Sequence, residues 1–206
     1  MHVTKLILNP GSYQVQKEIS NPYQLHRTIM RAFPDNLKDN NMEERILFRL
    51  STEKNTHLPI VLVQSFSPPD WNFLKNEQDY VLKEPQVKHF KYPQFMKGNT
   101  YWFRLFCNPT KRSNGKRVGM YKDEEKFEWL KRKTESAGFI VMHASITRKE
   151  EITARVKKGT PKMTFQGVQF EGVLQVVNPE LFRAVLKKGI GSGKAFGCGF
   201  LTISKF

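Results

Sequence analysis

Apolar positions along the chain recur with two different periods, and the switches between them outline the elements. Residues 2–9 alternate and are rich in Val, Leu and Ile, which predicts a first strand closed by Pro10-Gly11. After a loop, residues 21–33 (NPYQLHRTIMRAF) change to the helical period. At about 100° per residue, Leu25, Ile29, Ala32 and Phe33 gather on one side. Asn21 reads as the N-cap, Pro22 suits the first helical position, and Pro34-Asp35-Asn36 stops the helix. Residues 45–53 and 58–65 read as strands around a polar turn at Lys54-Asn55. Pro68-Pro69-Asp70 opens a short helical piece with Trp71 and Leu74, and residues 85–92 follow as an edge strand. The order is βαββαβ.

A basic turn at Lys97-Gly98-Asn99 follows, and the pattern starts again. Residues 101–108 are apolar on both faces, as in a central strand. Residues 123–137 form an amphipathic helix, residues 139–146 a strand, and residues 163–177 one long strand or a bent pair. Asn178 and Pro179 open another helix, and residues 200–204 end the series as a strand. No residue-level repeat accompanies the repeated order. The expected fold is α+β: two tandem ferredoxin-like (RRM-like) βαββαβ domains, residues 1–97 and 98–206. The length of 206 residues fits two small domains or one large one.

The polar side of the helix at residues 21–33 is unusual. Tyr23, Arg27 and Arg31 lie opposite the apolar stripe, with His26 at the seam, and Tyr23 and His26 are three apart and within reach of one another. An imidazole, a phenol and two guanidiniums on one face suit a phosphate. Composition sharpens this. Lys+Arg 34 against Asp+Glu 19 gives a net charge of +15, which favours a polyanionic partner, nucleic acid above all. Cys107 and Cys198 form no CxxC pattern, and the histidines at 2, 57, 89 and 143 have no metal-ligand spacing. No metal and no cofactor are therefore expected. The N-terminal apolar run is too short for a signal peptide or a membrane span, so the expectation is a cytoplasmic protein with no membrane partner.

Two further features bear on an anionic ligand. Basic residues cluster at Lys111-Arg112, at Lys116-Arg117 and over residues 148–162. The last segment reads as a β-hairpin with Gly159 near its turn, projecting Arg155, Lys157, Lys158 and Lys162. The run GIGSGKAFGCGF contains Gly189, Gly191, Gly193, Gly197, Gly199 and Lys194. It is not a P-loop, because Lys188 stands where a glycine is needed and Ala195 follows the lysine. It is not a dinucleotide fingerprint either, because it leads from a helix into a strand. Gly191, Gly193 and Lys194 could form an anion nest, or the run could be a tight connection packed on its sheet.

The same run, with its spacing of Gly189, Gly191, Lys194, Gly197 and Gly199, resembles the glycine-rich loop of the CRISPR repeat-processing endoribonucleases, CasE branch. Similar to that branch are also Asn-Pro-Tyr-x-x-His-Arg from Asn21, Asp70-Trp71, Phe-Arg-Leu-Phe-x-Asn-Pro at 103–109, and Phe170-Glu171-Gly172. The resemblance implies tandem ferredoxin-like domains and a basic face that holds a CRISPR repeat stem-loop. It implies metal-independent cleavage of the precursor transcript and retention of the crRNA beside other Cascade subunits. It also implies that the basic hairpin enters the major groove of the repeat stem. An A-form major groove is narrow, so entry near the base or loop of a short stem is required.

The chemistry of the residues agrees with such a reaction. RNA carries its own nucleophile, the 2′-OH beside the scissile phosphate. A base, an acid and a cation are needed around it. His26 suits either proton role, Tyr23 could donate to the leaving oxygen or orient the 2′-OH, and Arg27 or Arg31 could offset the phosphate charge. Expected products are a 2′,3′-cyclic phosphate or 3′-phosphate and a 5′-hydroxyl. The competing reading is a non-catalytic RNA-hairpin-binding scaffold, which has the basic face but no need of His26. An RNP1 sequence for generic single-strand stacking is missing, as is a compact pocket motif for a phosphometabolite enzyme.

Overall fold

Alternation in the first half of the chain resolves into one antiparallel sheet. The structure, a computed structural model, describes residues 1–34, 45–77, 79–156 and 159–205. The first half contains β1 (His2–Ile7), α1 (Tyr13–Ile19), α2 (Pro22–Met30), β2 (Leu47–Thr52), β3 (Pro59–Ser65), a 3-10 turn over Asn72–Asn76 and β4 (Gln86–His89). Sheet order is β2-β3-β1-β4, and all three neighbouring pairs are antiparallel. Leu6 lies opposite Val61, and Thr4 opposite Val63 and Val87. Leu6, Phe48, Val61 and Val63 pack with Leu25 and Ile29 of α2 and with Trp71 and Leu74. Burying each such aliphatic side chain stabilises the fold by roughly 1.5–3 kcal/mol. The expected stripe on α2 is thus what fixes it to the sheet.

The second half contains β5 (Thr100–Cys107), β6 (Thr110–Ser113), β7 (Lys116–Gly119), α3 (Asp123–Glu135), β8 (Phe139–Ala154), β9 (Met163–Val176), α4 (Pro179–Lys188) and β10 (Leu201–Lys205). Its sheet runs β10-β5-β9-β8, with β6 and β7 forming a separate ribbon. Phe103, Leu105, Phe170 and Leu174 form its core with Trp129 and Leu130 of α3 and Phe182 and Leu186 of α4. In both sheets the strands stand in the order fourth, first, third, second. That is the ferredoxin-like arrangement, twice, and the α+β fold reading holds. Unit 1 comprises Met1–Lys91, Thr153–Met163 and Ala195–Gly197; unit 2 comprises Tyr92–Ile152, Thr164–Lys194 and Cys198–Phe206. Among the described residues no helix is long and apolar enough to cross a membrane.

Four local expectations need correction. The loop before Asn21 contains α1, whose Val15 and Glu18 are buried. Helix α2 ends at Met30, not Phe33. Arg31, Ala32 and Phe33 donate to the carbonyls three residues back, tightening the last turn before Pro34, whose ring excludes α geometry at its predecessor. The segment 148–162 belongs to a longer hairpin than expected, formed by β8 with its sheet neighbour β9. β8 extends unbroken to Ala154, and Gly159 (φ 86°) lies in the connection to β9. Finally, Lys111-Arg112 and Lys116-Arg117, which the sequence pattern assigns to no element, are the two arms of a second hairpin, with Asn114 (φ 50°) and Gly115 (φ 73°) at its turn.

Candidate functional site

Helix α2 is held from beneath by a buried polar network as well as by apolar packing. The Thr28 hydroxyl donates to Glu18 Oε1 at 2.7 Å and the Tyr80 hydroxyl to Glu18 Oε2 at 2.5 Å. Gln14 Nε2 also donates to Glu18, at 3.2 Å. Burial, together with the neighbouring Glu18 carboxyl, pushes the Tyr80 phenol far up, so it stays a donor at any working pH. Three donors onto one carboxyl group fix the rotation of α2 against α1. That rotation decides which side chains of α2 face outward.

Asn21 does not cap the helix. Its backbone has φ −137° and ψ 86°, and its side chain makes no cap bond. Instead Nδ2 donates to the Arg155 carbonyl at 3.1 Å, and Oδ1 accepts from the Arg155 N–H at 3.3 Å. This two-point clasp ties the start of α2 to the chain leaving β8. Asn178, with the same Asn-Pro signature, does cap: its Oδ1 accepts from the N–H groups of Glu180 and Leu181. The difference has a physical cause, because a side-chain amide can pair with both the N–H and the C=O of one residue where a second segment passes within reach.

On the outward face the Tyr23 and His26 rings stack, with centroids 6.0 Å apart and planes 25° apart. Phe196 lies 6.0 Å from Tyr23, and Phe48 of β2 lies 6.0 Å from His26. Gly197 closes this wall. A Cβ there would sit 3.3 Å from Phe48 Cε2, and its φ of 81° suits glycine. The His26 imidazole makes no hydrogen bond among the described residues, and partial burial lowers its pKa below the ordinary histidine value. It is therefore neutral near pH 7, wedged between rings, with its nitrogens left for a ligand.

The other expected site residues are placed as follows. Arg27 is exposed beside the pair and donates to Gln24 Oε1 at 3.3 Å. Arg31 turns away: it pairs with Glu77 at 2.7 Å, and its guanidinium lies 4.3 Å over the Phe73 ring. Arg155 and Lys162 are exposed, and the Arg155 backbone is held by Asn21. Lys157 and Lys158 lie outside the described residues. In unit 2, Gly191 and Gly193 have φ of 76° and 83°, and Lys194 Nζ donates back to the Gly191 carbonyl. Gly199 meets Ile190 so closely that a Cβ would lie 2.6 Å from its carbonyl oxygen, and Ile190 N–H donates to the Gly199 carbonyl at 2.9 Å. The glycine-rich run is a folded, pinned connection. Sequence reasoning missed three participants: Phe48, Phe196 and the clasp by Asn21. Phe196 was visible as the one aromatic ring between Gly189 and Gly199; Phe48 read as core alone.

Comparison with known proteins decides the family. The model of the CRISPR associated protein family matches residues 1–205. The chain belongs to that family. Within it, the chain is 37% identical to the CRISPR-associated endoribonuclease Cse3 of Thermus thermophilus, over 99% of this chain and all of that one. It is 28% identical to the Cascade subunit CasE of Escherichia coli, over 88% of this chain and 91% of that one. The structure of the CRISPR endoribonuclease Cse3 bound to a 19-nucleotide RNA superposes with a TM-score of 0.87 at 36% identity, covering 99% of this chain and all of that one. The resemblance noted from the motifs is a true family relationship, and both ferredoxin-like sheets belong to it.

Proposed function

We propose that this CRISPR-associated chain is the endoribonuclease that binds the repeat stem-loop of precursor CRISPR RNA and cuts it, keeping the mature guide within Cascade. The observation that carries the reading is the Tyr23–His26 pair: a neutral, half-buried imidazole stacked on a phenol, on a helix locked by Glu18 and Tyr80. The names of the relatives support it: one is an endoribonuclease, one a Cascade subunit.

In this reading the 2′-OH attacks the adjacent phosphorus and gives its proton to His26. The P–O5′ bond breaks, leaving a 2′,3′-cyclic phosphate and a 5′-hydroxyl. A neutral imidazole at pH 7 can accept a proton, so the lowered pKa favours His26 as base over acid. Tyr23 supplies the proton that the leaving O5′ takes, or it orients the 2′-OH and the proton gained by His26 passes to O5′. Arg27, exposed on the same helix, offsets the developing charge, while Arg31 serves the fold through Glu77. No metal takes part in these steps. Arg155, Lys157, Lys158 and Lys162 hold the RNA stem, and Gly191, Gly193 and Lys194 contribute backbone and charge to its phosphates.

Cleavage of a cognate repeat RNA in EDTA, with and without a 2′-deoxy sugar at the scissile position, tests the mechanism. Full activity in EDTA and none on the 2′-deoxy substrate are expected. Strict metal dependence, or cutting of the deoxy substrate, would reject it. Tight repeat binding by the wild type with no cleavage would leave the scaffold reading instead.

A further inference from the structure

Sequence spacing sets the five histidines apart, and the fold brings two of them together. His2 on β1 lies directly opposite His89 on β4. The Phe90 N–H donates to the Met1 carbonyl at 3.0 Å, so residues 1 and 90 form a hydrogen-bonded pair. The next pair along, His2 with His89, is therefore a non-hydrogen-bonded one. At such pairs the Cα atoms stand only about 4.5 Å apart and side chains meet most closely. The two imidazoles accordingly lie 5.1 Å apart, centroid to centroid, with their planes at 66°. His89 is exposed and His2 half-buried, so a dissolved ion can reach both.

We infer that His2 and His89 form a two-histidine clip for a divalent transition-metal ion, Zn²⁺ or Cu²⁺, the ions that imidazole suits. Two imidazoles on one tetrahedral ion, each with a Zn–N bond of about 2.0–2.1 Å, place their ring centroids about 5 Å apart. The pair already stands at that separation. Mg²⁺ and Ca²⁺ take oxygen ligands and find none of their kind in two imidazoles. Among the described residues no group of three His, Cys, Asp or Glu side chains gathers, so water completes the coordination and the ion exchanges freely. What the ion holds is β4, an edge strand of four exposed residues paired with β1 alone. Phe48, the ring against His26, belongs to β2 at the opposite edge of the same sheet. Three strand spacings, about 14 Å, separate those edges, so the clip acts on the fold of unit 1 and not on cleavage.

Titration of the full chain, free of any affinity tag, with Zn²⁺ and Cu²⁺ tests the clip by calorimetry and by NMR of the histidine rings. One ion should bind per chain. His2→Gln and His89→Gln should each weaken it about tenfold or more, since even the loss of an outer-shell partner costs about 10–100-fold. Sub-stoichiometric Cu²⁺ should broaden the His2 and His89 ring signals ahead of those of His26, His57 and His143. At free Zn²⁺ about 100 times Kd the thermal midpoint should rise by about 5–10 °C, and by less in either variant at the same concentration. Variants that keep the wild-type Zn²⁺ affinity overturn the inference. So does a wild type that binds neither ion at millimolar concentration, or one whose Cu²⁺ broadens another histidine first. The broadening is read on the wild type, so it decides the matter even where a variant folds poorly.

Discussion

Asn21→Ser separates two accounts of how the functional helix begins. Serine is as good an N-cap as asparagine, so a capping role predicts no loss of stability. It is too short to replace the clasp on Arg155. The structure shows two bonds there, at 3.1 and 3.3 Å, and no cap bond. Each such bond contributes about 0.5–1.5 kcal/mol net. Both are long and half-exposed, so roughly 1–2 kcal/mol of local stability should disappear. Hydrogen exchange at the Arg155 amide reads this directly, because its partner is Asn21 Oδ1. Exchange there should speed up about 5–30-fold, with α2 amides changing little. Affinity for repeat RNA should fall by a comparable factor, since the basic segment would then be ordered only on binding. An unchanged Arg155 amide would refute the clasp.

Tyr80→Phe deletes a donor to the buried Glu18 carboxyl and should cost about 1.5–3 kcal/mol in urea unfolding, more than an exposed tyrosine would. Gly199→Ala forces a left-handed residue and a 2.6 Å approach to the Ile190 carbonyl, so a loss of about 2 kcal/mol or more is expected from the unfolding midpoint. His26 binds its proton less readily folded than unfolded, so its stabilising contribution is complete above about pH 6.5 and declines as pH falls toward the folded pKa. Denaturant midpoints from pH 8 to pH 5 should therefore drop less for His26→Gln than for wild type; equal drops would show that His26 is not desolvated.

The ferredoxin-like arrangement was legible because periodicity carries it. Leu25 and Ile29 at helical spacing, and the alternation around Leu6 and Val61, name the buried faces without any knowledge of partners. Helix α1 was hidden because its seven residues bury only Val15 as an apolar anchor, while Glu18 looks like a surface residue until Thr28 and Tyr80 come to it. The extent of β8 was hidden for another reason: the outer half of the strand carries the charged run Arg148-Lys149-Glu150-Glu151, half-exposed, so no apolar alternation marks it. At the site, Tyr23 and His26 could be read from i, i+3 spacing, a local property. Arg31 could not be separated from Arg27, because Glu77 and Phe73 are distant in sequence. The same holds for Asn21 and Asn178: identical signatures, but only one has a passing backbone to clasp.

Single-turnover cleavage of a cognate repeat stem-loop by wild type and His26→Ala, with Kd measured on a 2′-deoxy substrate, tests the central claim most directly. A loss of about 10²–10⁴ in rate with Kd within a few-fold is expected, as for removal of a general base. A variant that cuts within about tenfold of the wild-type rate, below what removing a general base should cost, would place the chemistry elsewhere.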